Sequence, residues 1–292
     1  MTKLFEVRRY SYRLKMLGNP PHPRPLVADK LRTMALGASY GIGVPTVYAL
    51  WEHPEEIDLS GLPETFVVKA NRGAGSMAVL PLRRVPGTTD RFELTDATAR
   101  QLTAEEVVRH LTEGERRSGP WYAEQMLVAD TPGDQLPPDY KLYCFYGEVG
   151  AGFARRVPAH FGSPGWQEQI RFHYFDGEGT THRWRDGRAD DSIPLSPLMP
   201  ELLEAGRVLS KAVPLPFVRV DLYATTAGVV VGELTLGPGG DQYLRAEEDV
   251  RLGRMWERAQ VRLEMDLASG ARPYGIVAGD HPVPELLRPF LP

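Results

Sequence analysis

The sequence predicts an α+β protein with mostly antiparallel strands, and three observations carry that prediction. Several stretches alternate apolar and polar residues with period two and return on themselves through glycine-containing turns, the pattern of hairpins rather than of crossover units. Helical periodicity is confined to short, separate segments between them. The chain of 292 residues, 42% apolar and 25% charged, is long enough for a substantial core and falls inside the ordinary globular range.

Taken in order, residues 1–25 mix basic side chains with a proline-rich run, NPPHPRP, that stops any helix. Ala28 to Tyr40 reads as a helix capped by Asp29, and Pro45 to Tyr48 as a short strand. Phe66 to Lys69 and Met77 to Leu80 read as strands joined by a glycine-rich turn over 71–76; no strand is assigned between 83 and 102. Residues 103–117 make an amphipathic helix with Thr103 as its cap, followed by a strand from Trp121 to Val128. After a Pro/Gly/Asp linker, Tyr140 to Phe153 forms two strands meeting at Tyr146-Gly147. The region 157–192 reads as long loops with one strand at 170–175, loops that would cover a substrate. Pro197 to Val213 is a helix, and 244–292 opens with a charged helix and ends in proline-rich coil.

Composition excludes several classes. A net charge of -4 argues against a general nucleic-acid surface, and no apolar run approaches the ~20 residues of a membrane-spanning helix. The start, MTKLFEVRRYSYRLK, is broken by charge too often to be a signal peptide's apolar core. Cys144 is the sole cysteine, which rules out intrachain disulfides, fits a cytoplasmic setting, and reads as a buried inert thiol. His160, His173 and His182 lack metal-ligand spacing and read as ordinary histidines.

The stretch Phe217 to Gly240, FVRVDLYATTAGVVVGELTLGPGG, is the candidate active site. Val218, Val220 and Leu222 alternate with Arg219, Asp221 and Tyr223, while Leu234 and Leu236 flank Glu233 and Thr235. A three-residue loop Thr226-Ala227-Gly228 would place Thr225 opposite Val229, and hence Asp221 opposite Glu233 and Arg219 opposite Thr235. Two carboxylates directly across a strand pair repel, so the pair calls for a cation, and oxygen-only ligands suit Mg²⁺ with phosphate completing its shell. The competing reading, a solvated polar face, is the commoner fate of a strand aspartate.

The turn 71–76, within TFVVKANRGAGSMAVLPL, lies between strands and matches neither GxxxxGK[ST] nor GxGxxG opening a helix. Backbone N–H groups at such a hairpin tip can still cradle phosphates, with Lys69 adding charge beside it.

These pieces occur in the order DK at 29–30, VVKANRGAGS at 67–76, YAEQML at 122–127, DYKLYCF at 139–145, RVDLY at 219–223 and GELT at 232–235. That order resembles the ATP-grasp superfamily, and within it the teichuronopeptide-biosynthesis-like branch, over residues 26–250. The resemblance implies two α+β subdomains clasping ATP: an N-terminal segment 1–62, a small subdomain 63–130 with the glycine-rich lid, a large subdomain 131–250 with the Mg²⁺ site, and a C-terminal extension 251–292. It implies that Lys30 and Lys69 contact ATP, that the lid is Asn71 to Ser76 with Gly73, Gly75 and Ser76 over the phosphates, and that Glu124, Gln125, Met126 and Leu127 read adenine. Lys141 would reach the γ-phosphate, Asp221 and Glu233 would hold Mg²⁺, and Arg219 would sit over the reacting carboxyl. Thr235 stands where the superfamily usually has Asn, a poorer metal ligand whose place water or Asp241 would take.

The activity implied is a carboxylate–amine ligase working through an acyl phosphate, in cell-envelope polymer or natural-product biosynthesis, with ATP and Mg²⁺ as cofactors and small-molecule carboxylate and amine as partners. Lys69, Lys141 and Arg219 would be its catalytic cations, and Arg155 and Arg156 would meet an anionic substrate. A phosphotransferase acting on a hydroxyl and a non-catalytic nucleotide-binding scaffold are the rivals. No nucleic acid or membrane span is expected, and a homodimer stays open.

Overall fold

The computed structural model describes residues 29–72, 78–96, 98–113, 118–131, 136–157, 166–185, 189–239 and 244–292. Its elements are α1 (Lys30–Ser39), β1 (Val47–Trp51), β2 (Thr65–Arg72), β3 (Val79–Arg84), β4 (Arg91–Leu94), β5 (Gln101–Thr103), α2 (Ala104–Thr112), β6 (Ser118–Gln125), β7 (Asp139–Cys144), β8 (Val149–Arg156), α3 (Trp166–Gln169), β9 (Arg171–Asp176), α4 (Met199–Ala212), β10 (Val218–Thr225), β11 (Gly228–Thr235) and α5 (Ala246–Ala268). All sheet pairings between these strands are antiparallel. The expected α+β class is therefore what forms, with β4, β5 and the short helix α3, within the stretch read as loops, as additions.

Two compact units divide the chain: Pro45–Pro137 with Val157–Ile170, and the remainder. The smaller unit is a six-stranded sheet in the order β1-β6-β2-β3-β4-β5. Its core joins Phe66, Val68, Leu80, Leu82 and Phe92 of the sheet to Val107 and Leu111 of α2. Thr103 caps α2 reciprocally with Glu106: the Glu106 N–H donates to Thr103 Oγ1 at 3.2 Å and the Thr103 N–H to Glu106 Oε2 at 2.8 Å.

The larger unit is a five-stranded sheet in the order β11-β10-β7-β8-β9. One face carries Leu142, Cys144, Val220 and Leu222 and is covered by α4, whose Leu202 and Leu209 are fully buried. Gly206 sets the closeness of that packing, since a Cβ there would stand 2.7 Å from Leu142 Cδ1 and 3.3 Å from Cys144 Sγ. Beside it α1 packs on β11, capped by Asp29, which accepts from the Arg32 N–H at 3.0 Å. On the opposite face Tyr143, Phe153, Tyr174 and Trp184 meet Leu252, Met255, Ala259 and Leu263, the inward stripe of α5.

Cys144 is fully buried and burial pushes its thiol well above the ordinary value, in keeping with an inert cysteine. His173 is held between Ile193 O at 2.6 Å and Thr181 Oγ1 at 2.7 Å, and His182 lies 3.0 Å from Glu248; His160 is outside the described residues. Among the described residues no helix is long and apolar enough to cross a membrane.

Helix–sheet contact at Gly206 predicts a pair of opposite effects. Gly206→Val should overpack the α4 face and cost about 1–3 kcal/mol, whereas Gly253→Ala in α5, where a Cβ meets nothing within 4 Å, should gain about 0.5–1 kcal/mol. Urea denaturation midpoints check both, and midpoints moving in the same direction would contradict this account of the packing.

Candidate active site

The hairpin β10–β11 reaches the expected pairing by a different route. Its loop is two residues long, Thr226-Ala227, with Thr225 across from Gly228 rather than Val229. Thr225 Oγ1 closes the turn by accepting from the Ala227 N–H at 3.1 Å and donating to Gly228 O at 2.8 Å, while Gly228 takes φ +107°. Continued unbroken, that register would set Asp221 against Gly232. Gly232 is instead an extra, bulged residue between Val231, which pairs Leu222, and Glu233, which pairs Asp221. The bulge restores the pairings Asp221–Glu233 and Arg219–Thr235 that a three-residue loop would have produced directly.

On the polar part of the sheet face, three rows of partners run across the strands. The central row is Glu233, Asp221, Lys141 and Phe153. One neighbouring row holds Tyr223, Asp139 and Arg155, and the other Thr235, Arg219 and Tyr143. Side chains of alternate residues share a face, so Asp139 and Lys141, or Arg219 and Asp221, meet.

Asp221 is buried, and both its oxygens are engaged. Arg219 grips it with two donors, Nε to Oδ1 at 2.6 Å and Nη2 to Oδ2 at 2.7 Å, while Lys141 Nζ bonds Oδ2 from the next strand. Arg219 Nη2 also donates to Thr235 Oγ1 at 3.1 Å and Nη1 to Pro238 O at 3.2 Å, a carbonyl that Tyr143 Oη shares at 3.1 Å. Burial opposes the charge on Arg219, but Asp221 outweighs it and raises the guanidinium's pKa further. Lys141 Nζ lies 3.4 Å from Asp139 Oδ2, and Arg155 Nη2 bonds that same oxygen. Burial alone would raise the Asp139 carboxyl, yet Lys141 and Arg155 together hold it well below the usual carboxylate range.

Glu233 differs from its neighbours. It makes no hydrogen bond or ion pair with a described residue, and burial first, then the nearby Asp221, pushes its carboxyl above the usual value. The largest opposing influence is the charge of Lys30, at the start of α1. Lys30 thus belongs with the acidic pair of the larger unit.

Of the other residues expected at a site, Arg156 stands directly across from Arg171, which approaches Asp190 at 3.8 Å. In the smaller unit Lys69 is paired with the buried Glu124, its diagonal neighbour across β2 and β6. Glu124 Oε2 is buried and accepts no hydrogen bond from a described residue. The Gln125 N–H is taken by Thr46 O at 2.8 Å, and Met126 Sδ accepts from Thr95 Oγ1 at 3.7 Å. Leu127 follows, half-buried, beyond the end of β6, and Asn71 is buried near the end of β2. Gly73, Gly75, Ser76 and Asp241 lie outside the described residues.

Asp139, Tyr143 and the Pro238 carbonyl joined the network without being singled out in the sequence. The available signal for Asp139 was its place two residues before Lys141 on one strand face.

Comparison with known proteins adds a family match over part of the chain and a fold. Residues 185–257 match the family model described as TupA-like ATPgrasp. No curated protein matches the chain at the sequence level. Among solved structures, D-alanine–D-alanine ligase from Bacillus anthracis is similar at TM-score 0.50 and 17% identity, over 88% of this chain and 76% of that one. The D-cycloserine synthetase DcsG is similar at TM-score 0.48 and 17% identity, over 90% and 81%. The ATP-grasp ligase PsnB, complexed with a phosphomimetic variant of a minimal precursor, Mg and ADP, is similar at TM-score 0.40 and 15% identity, over 81% of this chain. This chain spans 59% of that PsnB chain.

The raised carboxyl of Glu233 has a signed consequence. Between the ordinary glutamate value of about 4.3 and the raised one, the folded chain binds more protons than the unfolded, so this group makes stability fall as pH rises. Glu233→Gln removes that contribution. In metal-free buffer its urea midpoint should equal or exceed wild type at pH 7, with the difference gone by about pH 4. A variant less stable than wild type at pH 7 would contradict the net upward push on this carboxyl.

Proposed function

We propose, from the premise that the chain has the ATP-grasp fold and matches the TupA-like ATP-grasp family over residues 185–257, that it is an ATP-dependent carboxylate–amine ligase. The observation that carries the reading is the central row of the larger unit's sheet, where Lys141, the paired Asp221 and Glu233, which bonds none of the described residues, stand in consecutive register beside Arg219. The substrate carboxylate would take the γ-phosphoryl group of ATP, giving ADP and an acyl phosphate, and an amine would then displace phosphate to form an amide.

The acidic pair fits Mg²⁺. An ionised carboxylate offers about four lone-pair sites; three donors occupy those of Asp221, and none of the described residues occupies those of Glu233. Asp221 and Glu233 would hold the ion, with Thr235 beside them, already accepting from Arg219. When bound, Mg²⁺ supplies neutralising charge to the polyphosphate.

The remaining work falls to this chain's cations. Lys141 would meet the γ-phosphoryl oxygens, and Lys30, whose charge already acts on Glu233, would add to the field there. Arg219, with its planar fork, would orient the carboxylate and then stabilise the oxyanion formed as the amine adds. Arg156 would meet an anionic part of the substrate. In the smaller unit the Lys69–Glu124 pair, the unsatisfied Glu124 Oε2 and the segment Gln125 to Leu127 would bind the adenine, and Asn71 with Gly73, Gly75 and Ser76 the phosphates. No side-chain nucleophile is needed, in agreement with the inert Cys144.

The experiment is an ADP- and phosphate-release screen of amino acids and other carboxylates, with hydroxylamine as a general amine trap. Asp221→Ala should abolish ATP consumption. Arg219→Ala should cost about 10²- to 10³-fold, and Arg219→Lys should also be impaired because the two-donor grip on Asp221 is lost. Wild-type rates in both Arg219 variants, or a product carrying a stable phosphate in place of an amide, would replace the ligase with a phosphotransferase.

A further inference from the structure

We propose that Asp139 is a positioning residue for Lys141, and that Arg155 acts through Asp139 rather than on the substrate. The inference rests on the reading of Lys141 as the cation that meets the transferring phosphoryl group, and it assigns Asp139 a role while moving Arg155 away from substrate contact.

A lysine ammonium is a compact charge on a flexible stem, and it settles wherever the local field directs it. Directly across from Lys141 on β10 stands Asp221, which it contacts. With Asp221 as its sole acid, the ammonium would have nothing to draw it off that carboxylate when a metal ion takes the oxygen it bonds. Asp139, two residues earlier on the same strand face, supplies a second oxygen 3.4 Å from Nζ. The ammonium thus bonds Asp221 and keeps Asp139 as a second acid within ion-pair distance.

Asp139 itself must be held in place for this to work, and Arg155 does that. The two are direct partners across β7 and β8, and Arg155 Nη2 bonds the same Oδ2 that faces Lys141. Asp139 is buried and stays ionised because two cations share it. Arg155 in turn pairs with Asp139 through Nη2, which directs that end of the guanidinium to the row behind Lys141, while its buried Nε bonds no described residue.

A plain structural ion pair would satisfy the same geometry, and a double-mutant cycle separates the two. Asp139→Asn should lower kcat for ADP release by about 10- to 100-fold, the usual loss for an outer partner of a working group, with the carboxylate KM within about twofold, and Asp139→Glu should recover part of it. Arg155→Ala should lower kcat in the wild-type background and have no further effect in the Asp139→Asn background. Urea midpoints identify any variant that fails to fold; for those the cycle is run with Arg155→Lys and Asp139→Glu. An Arg155→Ala variant whose carboxylate KM rises in both backgrounds would overturn the proposal in favour of substrate contact. Unchanged kcat in folded Asp139→Asn would overturn it in favour of a structural pair. If wild type consumes no ATP with any carboxylate, the ligase reading fails separately. The same cycle is then read in Mg·ATP affinity by calorimetry, where non-additive losses support positioning and additive ones refute it.

Discussion

Burying Asp221 in the middle of a sheet is the constraint on which the larger unit's polar face depends. An ionised carboxylate taken out of water must be compensated by hydrogen-bonded charge. Both neighbouring positions answer that demand: Arg219 from two residues earlier on the same strand, and Lys141 from the adjacent one. Each compensation sets a further condition. Arg219 is tied to the loop after β11 through the Pro238 carbonyl, and Lys141 draws in Asp139, which draws in Arg155. The chain of pairing ends at Glu233, the member of the row that no described cation bonds, and the proposed metal role rests on that imbalance.

Much of this was legible in the sequence because β-strands have period two. Alternation alone put Arg219, Asp221, Glu233 and Thr235 on one face, and hairpin counting put the carboxylates opposite each other. That count was right at Asp221 for a reason it did not contain. The loop is one residue shorter than expected, and the bulge at Gly232 makes up the difference. A bulge leaves almost no mark on a hydrophobic pattern, so a turn and a bulge of opposite effect cannot be told from a plain longer turn by counting.

The Asp139–Arg155 pair was lost for the same physical reason. Tyr146 and Gly147, with φ +46° and +89°, form the tight turn expected between β7 and β8. Counting back from it sets Asp139 against Ala154. An extra residue at Gly150, between the pairs Cys144–Val149 and Tyr143–Ala151, moves the partner to Arg155. The placement of Lys30 near Glu233 was illegible for another reason: it depends on α1 packing against β11, a tertiary contact that no local pattern encodes. Strands β4 and β5 are only four and three residues long, too short for alternation to register.

The central claim is that Glu233, opposite an already compensated Asp221, is the ligand that makes the face bind a divalent ion with nucleotide. Electron paramagnetic resonance of Mn²⁺ with ADP tests it most directly, because the bound and free ion give different signals whatever the carboxylate or amine turns out to be. Wild type should bind Mn²⁺ in the presence of ADP, and Glu233→Gln, equally folded, should leave the ion free. Equal binding of Mn²⁺·ADP by the two proteins would contradict the account.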